Sequence, residues 1–465
     1  MSTGRARWVL ALTSVAALMV MLDMLVVTTA LTTIRAKLGA SIEELEWTVG
    51  AFTLSLAVLL ITASALGDRY GRRTVFVVGI AVFTAASVAC AMAPSTGWLI
   101  AARALQGAGA AAVMPQAMAL LTAAYPGPRR ARALGIFSSI TGLATLGGPM
   151  VGGAVVQGID WQWIFWLNVP LGAVLIPLAL ARIDESRVAG RRMDPVGLLL
   201  GSAAALGVVW ALVRGNAVGW TSAQVLGPLA AGILTGVAFV RWEIRARQPM
   251  LPMRYFRSRA FAAGNAAVFL MYASIMGSAF FLTQYLQLGL GYSPLGAGLR
   301  LVPWTVTLFV VAPIAGALVS RVGDRPLIAA GLAAQAAGFA RIALLARPGL
   351  PYPALIAPLM LAGVGVSAAM PATQNAVLGA VPREGVGQAS GTFNTLRQLG
   401  GTFGIAAMAA VFTTAGGYVT IANGVRYALV VGAGLSAVAA LAGLLVARTT
   451  AAAPTQAPML ATERG

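Results

Sequence analysis

Apolar runs of about twenty residues recur along the chain between short polar breaks. Each is long enough to cross the ~30 Å hydrocarbon layer as a helix. The pattern predicts spans near 8–30, 47–66, 74–93, 98–122, 134–157, 163–180, 195–213 and 224–241. Six more follow near 261–283, 297–319, 326–345, 354–378, 393–414 and 427–447. Arg5 and Arg7 ahead of the first run mimic a secretion signal, but the run continues to about Ala30 and contains an acid. A retained first span is therefore expected. The expectation is an all-α polytopic membrane protein with fourteen transmembrane helices, and 449–465 as a disordered cytoplasmic tail.

Composition agrees: 59% of the 465 residues are hydrophobic and 10% are charged. The net charge of +19 follows the spans. With residue 1 inside, inner loops and tails carry 23 of the 32 Arg and Lys, and outer loops carry five. That bias predicts both termini in the cytoplasm. It makes the basic balance a matter of topology and anionic lipid rather than of nucleic acid. One lysine in an Ala-, Gly- and Arg-rich chain suggests a GC-rich bacterial genome, hence a bacterial inner (plasma) membrane.

Several chemistries are excluded by what is missing. With no histidine there is no imidazole relay and no His metal site. Lys37, the only lysine, lies in "IRAKLGA", which is not a phosphate loop. The single cysteine, Cys90, allows no internal disulfide and is expected to pack. No span assembles a nucleophile, base and oxyanion donor, so neither an enzyme nor a cofactor or metal is expected.

The acids are more selective. Twelve of thirteen fall in loops, tails or span ends, and Asp23 alone lies deep within a span. A charge there costs roughly 2.5–3.5 kcal/mol on insertion scales, so a functional reason is expected.

The chain also repeats itself. "GAGAAAVMPQAMALL" (107–121) and "GVGVSAAMPATQNAVL" (363–378) align at an offset of 256, and "SALGDRYGRR" (64–73) and "GALVSRVGDR" (316–325) at 252. The first six spans thus correspond to the last six, with two inserted. The expected division is 1–181, an N-terminal six-helix bundle; 182–260, two inserted helices with flanking loops; and 261–448, a C-terminal six-helix bundle. Parallel halves of this kind place a substrate site between them near the midplane.

"LGDRYGRR" after span 2, "RALQGAGAA" in span 4 and "GLATLGGPMVGG" in span 5 resemble, in turn, three motifs of the major facilitator superfamily. They are its inner-loop motif, its intramembrane arginine motif and the motif associated with antiporters. With "WQWIFWLNVPLG", "GQASGTFNTLRQLGG" and fourteen spans, the chain resembles the drug:proton antiporter branch over nearly all of 8–447. The resemblance implies proton-coupled efflux of amphiphilic, cationic or neutral compounds by alternating access. A dedicated exporter of one secondary metabolite is the alternative, and a membrane sensor without turnover a more distant one. The expected partners are a small-molecule substrate, protons and the bilayer, with the chain a monomer.

Roles then attach to residues. Asp23 and Arg103 are the candidates for proton coupling, with Gln106 one turn along from Arg103. Asp68, Arg69, Gly71, Arg72 and Arg73 are expected to hold an inner gate closed. Gly148, Pro149, Gly152 and Gly153 fit a hinge or a leak-tight seam, though plain helix packing uses the same residues. Gln106, Met114, Gln116, Tyr272, Met276, Phe280, Trp304, Met370, Gln374 and Asn375 are candidates for a substrate cavity. The family pattern around Asp23 has Thr and Asn where this chain has Leu25 and Thr28, so few polar neighbours are expected there.

Overall fold

The computed structural model describes residues 3–125, 129–187, 194–247, 249, 251–382 and 385–446. The expected 449–465 tail lies outside them. The N-terminal half comprises α1 (Thr3–Leu38), α2 (Ile42–Tyr70), α3 (Arg72–Ala91), α4 (Thr96–Ala124), α5 (Arg129–Gly158) and α6 (Trp163–Arg182). Two inserted helices follow, α7 (Pro195–Val218) and α8 (Ala223–Arg245). The C-terminal half comprises α9 (Arg259–Gln284), α10 (Pro294–Val319), α11 (Asp324–Leu345), α12 (Pro353–Gly379), α13 (Val386–Thr414) and α14 (Ile421–Leu444).

Among the described residues eleven helices are long and apolar enough to cross a membrane, or twelve if the bent α2 counts as one span. The remaining long helices, α5 and α13, have 30 and 29 residues and occupy the expected fifth and thirteenth places. Several helices overrun the predicted spans, α1 and α2 by about one to two turns at both ends, where polar caps sit farther out. Ser41, for example, closes a capping box with Glu44 at the start of α2. The overrun changes the census of acids. Glu46, Asp68, Glu243 and Asp324, expected in loops or at span ends, are buried within helices. Asp23 is therefore not the only buried carboxyl group.

The two halves repeat in three dimensions. A Cβ at Gly107 would lie 2.3 Å from the Phe52 carbonyl, and one at Gly363 would lie 2.3 Å from that of Trp304. Gly109 and Gly365 press equally closely on Phe83 and Gln335 in the neighbouring helix. Gly71 and Gly323 turn the chain into α3 and α11 with φ of +117° and +85°, a region that favours glycine. These partners, 52 with 304 and 83 with 335, keep the 252-residue offset.

Arg5, near the start of α1, binds Asp184 after α6, and Gly443 near the end of α14 packs on Ile328 at the start of α11. Both terminal helices therefore end on one face, called here the basic face. Toward the other face the halves are locked together. The Arg35 guanidinium lies 3.6 Å from the Tyr418 ring centroid, and Thr32 donates to Gln287, whose amide donates to the Thr29 carbonyl at 3.1 Å. From there to mid-depth α2 meets α13, with Thr53 and Thr402 hydroxyls 2.5 Å apart and Thr395 bonded to the Ala57 carbonyl.

α7 and α8 pack across this α2–α13 seam. Trp210 meets Trp47 at a tilt of 52° with ring centroids 5.6 Å apart, and Arg214 pairs with Glu43 at 3.0 Å. Below them a cavity of about 440 Å³ is walled by apolar side chains of α7, α8, α2 and α13.

Candidate functional site

Between the halves a second cavity, of about 650 Å³, is lined from α1, α2, α4, α5 and α13. Its walls include Ser64, Thr122, Phe137 and Gln388, all toward the basic ends of their helices. The cavity therefore lies toward the basic face, while the opposite face is shut.

Just above its ceiling sits the deepest polar cluster. Met21 lines the cavity and Asp23 follows two residues later, 2% exposed. Arg103 on α4, fully buried, donates from Nη1 to Asp23 Oδ2 at 2.5 Å. Its Nε reaches the Thr48 carbonyl at 3.2 Å, and its guanidinium lies 4.3 Å from the Phe52 ring centroid. Phe52, fully buried, is one turn from the cavity-lining Leu56.

Gln106 ties the pair together. Its Oε1 accepts from Arg103 at 2.6 Å, and its Nε2 donates to Asp23 Oδ1 at 2.9 Å and to Ser87 at 2.8 Å. Asn168 on α6 donates to Asp23 Oδ1 at 2.8 Å and to Ser87 at 3.2 Å. Three side chains thus donate N–H groups to one carboxylate. The Cys90 thiol, beyond packing, reaches Gln106 Oε1 at 3.7 Å.

The expectation of few polar neighbours around Asp23 is corrected here. The replacements at Leu25 and Thr28 leave α1 poor in partners, but α3, α4 and α6 supply Ser87, Gln106 and Asn168. Sequence reasoning missed Ser87 and Asn168. Asn168 was visible as one of two amides, with Gln162, in "WQWIFWLNVPLG"; nothing marked Ser87.

At the basic face Asp68 binds Arg72 at 2.9 Å, and Gly71 lets the chain turn so that a carboxylate can approach. That carboxylate is Glu185, which accepts from the backbone of Arg73 at 3.0 Å and of Thr74 at 3.1 Å. Burial raises its pKa, but hydrogen bonds from Thr74, Arg73 and Ser186 hold it below the ordinary value. Arg73 also reaches the Ile183 carbonyl at 3.3 Å, and exposed Arg69 lies over Tyr70. These bonds join α2, α3 and the end of α6 within the N-terminal half.

The "GLATLGGPMVGG" helix forms two seams at once. A Cβ at Gly148 would meet Leu25, and one at Gly152 would meet Thr29, both on α1. Gly153 faces Pro294 and Leu295, and the Pro149 carbonyl faces Gly298, across the halves.

Of the proposed cavity residues, Met114 lines the cavity, and Tyr272 lies beside it under Arg397, 5.1 Å from the guanidinium. Met370 Sδ accepts a hydrogen bond from the Tyr272 hydroxyl at 3.9 Å, and Met276 packs against Gly401. The others are placed elsewhere. Gln106 belongs to the Asp23 cluster, and Gln116 binds the Ala63 carbonyl at 2.9 Å between α2 and α4. Phe280 is fully buried against Phe281, and Trp304 packs edge-on to Phe339. Asn375 holds Asp324 at 3.0 Å near the basic face, and Gln374 is exposed outside the lining.

The model of the Major Facilitator Superfamily matches residues 13–405 and, in a second match, 264–462. The chain is 35% identical over 395 residues to the multidrug resistance protein Stp of Mycobacterium tuberculosis, covering 84% of this chain and 73% of that one. It is 35% identical to the tetracenomycin C resistance and export protein of Streptomyces glaucescens, covering 87% and 76%. With the cephamycin export protein of Amycolatopsis lactamdurans it shares 37%, over 88% and 85%. Among solved structures, an auto-inhibited POT family peptide transporter superposes with a TM-score of 0.72 at 15% identity, covering 98% of each chain. A bacterial homologue of the lysosomal transporter Spinster gives 0.69 at 17%, covering 96% and 98%. The chain belongs to the Major Facilitator Superfamily.

Proposed function

We propose that this chain exports amphiphilic small molecules, cationic or neutral, from a bacterial cytoplasm in exchange for protons. One observation carries the reading: a buried Asp23–Arg103 pair, two residues along α1 from the wall of a cavity between two repeat-related halves. The basic face is cytoplasmic, the structure faces inward, and one chain supplies both halves, so a monomer suffices.

Asp23 is the proton carrier. With the opposite face open, a proton neutralises Asp23, and Arg103 loses its partner. Removing one side of a buried pair costs about 3–5 kcal/mol, enough to drive a rearrangement. α1 carries Asp23 together with Thr29, Thr32 and Arg35 of the closed gate and Met21 of the cavity wall. Protonation, gate and substrate wall are therefore coupled through one helix, each ligand shifting the balance of two states. Because Asp23 is buried and not part of the cavity lining, proton and substrate act on each other through α1. Asp68, Arg72, Arg73 and Glu185 form the inner-gate element, and Gly148–Gly153 the seam that stops leakage.

The names of two relatives favour a second reading, export of a single secondary metabolite. Efflux of chemically unrelated dyes and antibiotics separates the two, since a response to one scaffold alone selects the dedicated exporter. For the main reading the test is flux in proteoliposomes under an imposed pH gradient. Wild type should show gradient-driven flux and Asp23→Asn none; gradient-driven flux by Asp23→Asn contradicts it.

A further inference from the structure

The larger cavity is not charge-neutral. Among the seventeen described residues that line it, Arg397 alone carries a formal charge, and no carboxylate faces it. Asp23, two residues from the lining Met21, is itself buried and spent on Arg103.

α13 presents this arginine deliberately placed. Ser390, Asn394, Arg397 and Gln398, at helical spacing, face the cavity, whereas Thr395, Leu396 and Leu399 face the apolar space under α7 and α8. The Tyr272 ring supports the guanidinium from one side, with 5.1 Å to its centroid. Its Nε is buried with no hydrogen-bond partner among the described residues. A guanidinium at this depth costs free energy unless something pairs with it, and its planar fork of N–H donors matches an oxyanion. Asn394 and Gln398 stand one turn before and one residue after it, where they can complete a hydrogen-bonding ring. The thioethers of Met21, Met114 and Met118 line other parts of the cavity and suit an adaptable apolar body.

We propose that Arg397 is the cavity's anion-recognition residue, so that amphiphilic organic acids bind with their carboxylate or sulfonate on its guanidinium and their apolar body against the methionines. This deepens the export reading, resting on it for the identity of the cavity as the substrate site, and revises its substrate class, organic acids taking the place of cations among the charged substrates.

The test is equilibrium binding to the detergent-purified full chain, using one fluorescent naphthalene body ended by a carboxylate, a carboxamide or a trimethylammonium group. At about 150 mM salt, surface attraction is screened beyond ~8 Å. Wild type should bind the carboxylate about tenfold tighter than the ammonium form. Arg397→Gln should weaken the carboxylate about tenfold, the scale of a charge-assisted hydrogen bond, and the carboxamide by less than about twofold. Arg397→Lys should keep the order with a smaller preference, and exposed Arg254→Gln should change nothing. Absence of a carboxylate preference in wild type, or equal loss of all three probes in Arg397→Gln, overturns the assignment. So does displacement of the acid probe by short-chain phosphatidylglycerol at equal concentration, which gives the site to a lipid headgroup. Asp23→Asn should lose gradient-driven flux yet keep the carboxylate preference, which separates failure of the proton mechanism from failure of the anion site.

Discussion

The two halves of this molecule share a backbone plan and differ in what they bury. Around α4 the N-terminal half buries Ser87, Arg103 and Gln106 against Asp23. At the 252- and 256-residue offsets of the repeat, the C-terminal half has Phe339, Leu359 and Ala362, all buried, and α9 contains no acid. Both halves keep the glycine contacts that bring neighbouring helices together. Packing was therefore retained in both copies, whereas the ionisable cluster stands in one. In the mechanism proposed above, that asymmetry puts the titrating role in the N-terminal half, while the C-terminal half brings the cavity its one described charge, Arg397.

The sharpest way to break the comparison is to make the first half like the second. Arg103→Leu, which copies Leu359, leaves Asp23 as an unpaired buried charge. It should cost about 3–5 kcal/mol in reversible unfolding in mixed micelles. Leu359→Met in the other half should cost less than about 1.5 kcal/mol. Equal costs would show that the Arg103 site is ordinary core.

Asn168→Ala comes next. It removes one donor to Asp23 and leaves Arg103 in place, so it should cost about 1.5–3 kcal/mol, the range for hydrogen bonds to charged groups. Transport should fall without abolition. Thermal unfolding and flux on the same preparation check both.

Gly109→Ala and Gly365→Ala probe what the halves share. The added Cβ would sit 2.6 Å from the Phe83 nitrogen and 2.4 Å from that of Gln335. Similar losses of about 1–3 kcal/mol are expected from overpacking. A loss confined to one half would mean that the repeat is not mechanical.

The smallest effect concerns pH at the basic face. Glu185 is held below its ordinary value of 4.5, so its bonds to Arg73 and Thr74 stabilise the fold above that pH. Their contribution fades as pH falls below about 4.5 through the lower, folded-state value. Below about pH 4.5 the unfolding temperature should fall as the pH is lowered in wild type, and fall less in Glu185→Gln.

Much of this organisation was legible before any coordinates. Long apolar runs allow only spanning helices, and the paired Gly107/Gly363 and Arg73/Arg325 positions exposed the duplication. Asp23 and Arg103 stood out because charge is rare and costly in such segments. What the sequence concealed depends on contacts between distant residues. Ser87 and Asn168 look like ordinary polar residues until α3 and α6 bring them to Asp23. Phe280 and Trp304, expected in a cavity, are core residues, because an aromatic side chain in a span carries no mark of which side it faces. Asn375 was drawn to Asp324 at the basic face, a pairing that no local pattern announces. Glu46 looked like a loop acid until α2 began at Ile42 and buried it.

The central claim is that Asp23 carries the coupled proton, and proton release from the purified protein tests it most directly. A substrate identified by efflux is added to lightly buffered protein, and the protons released are read with a pH-sensitive dye. Wild type should release protons in proportion to substrate bound, and Asp23→Asn should bind substrate and release none. Undiminished release from Asp23→Asn would contradict the account.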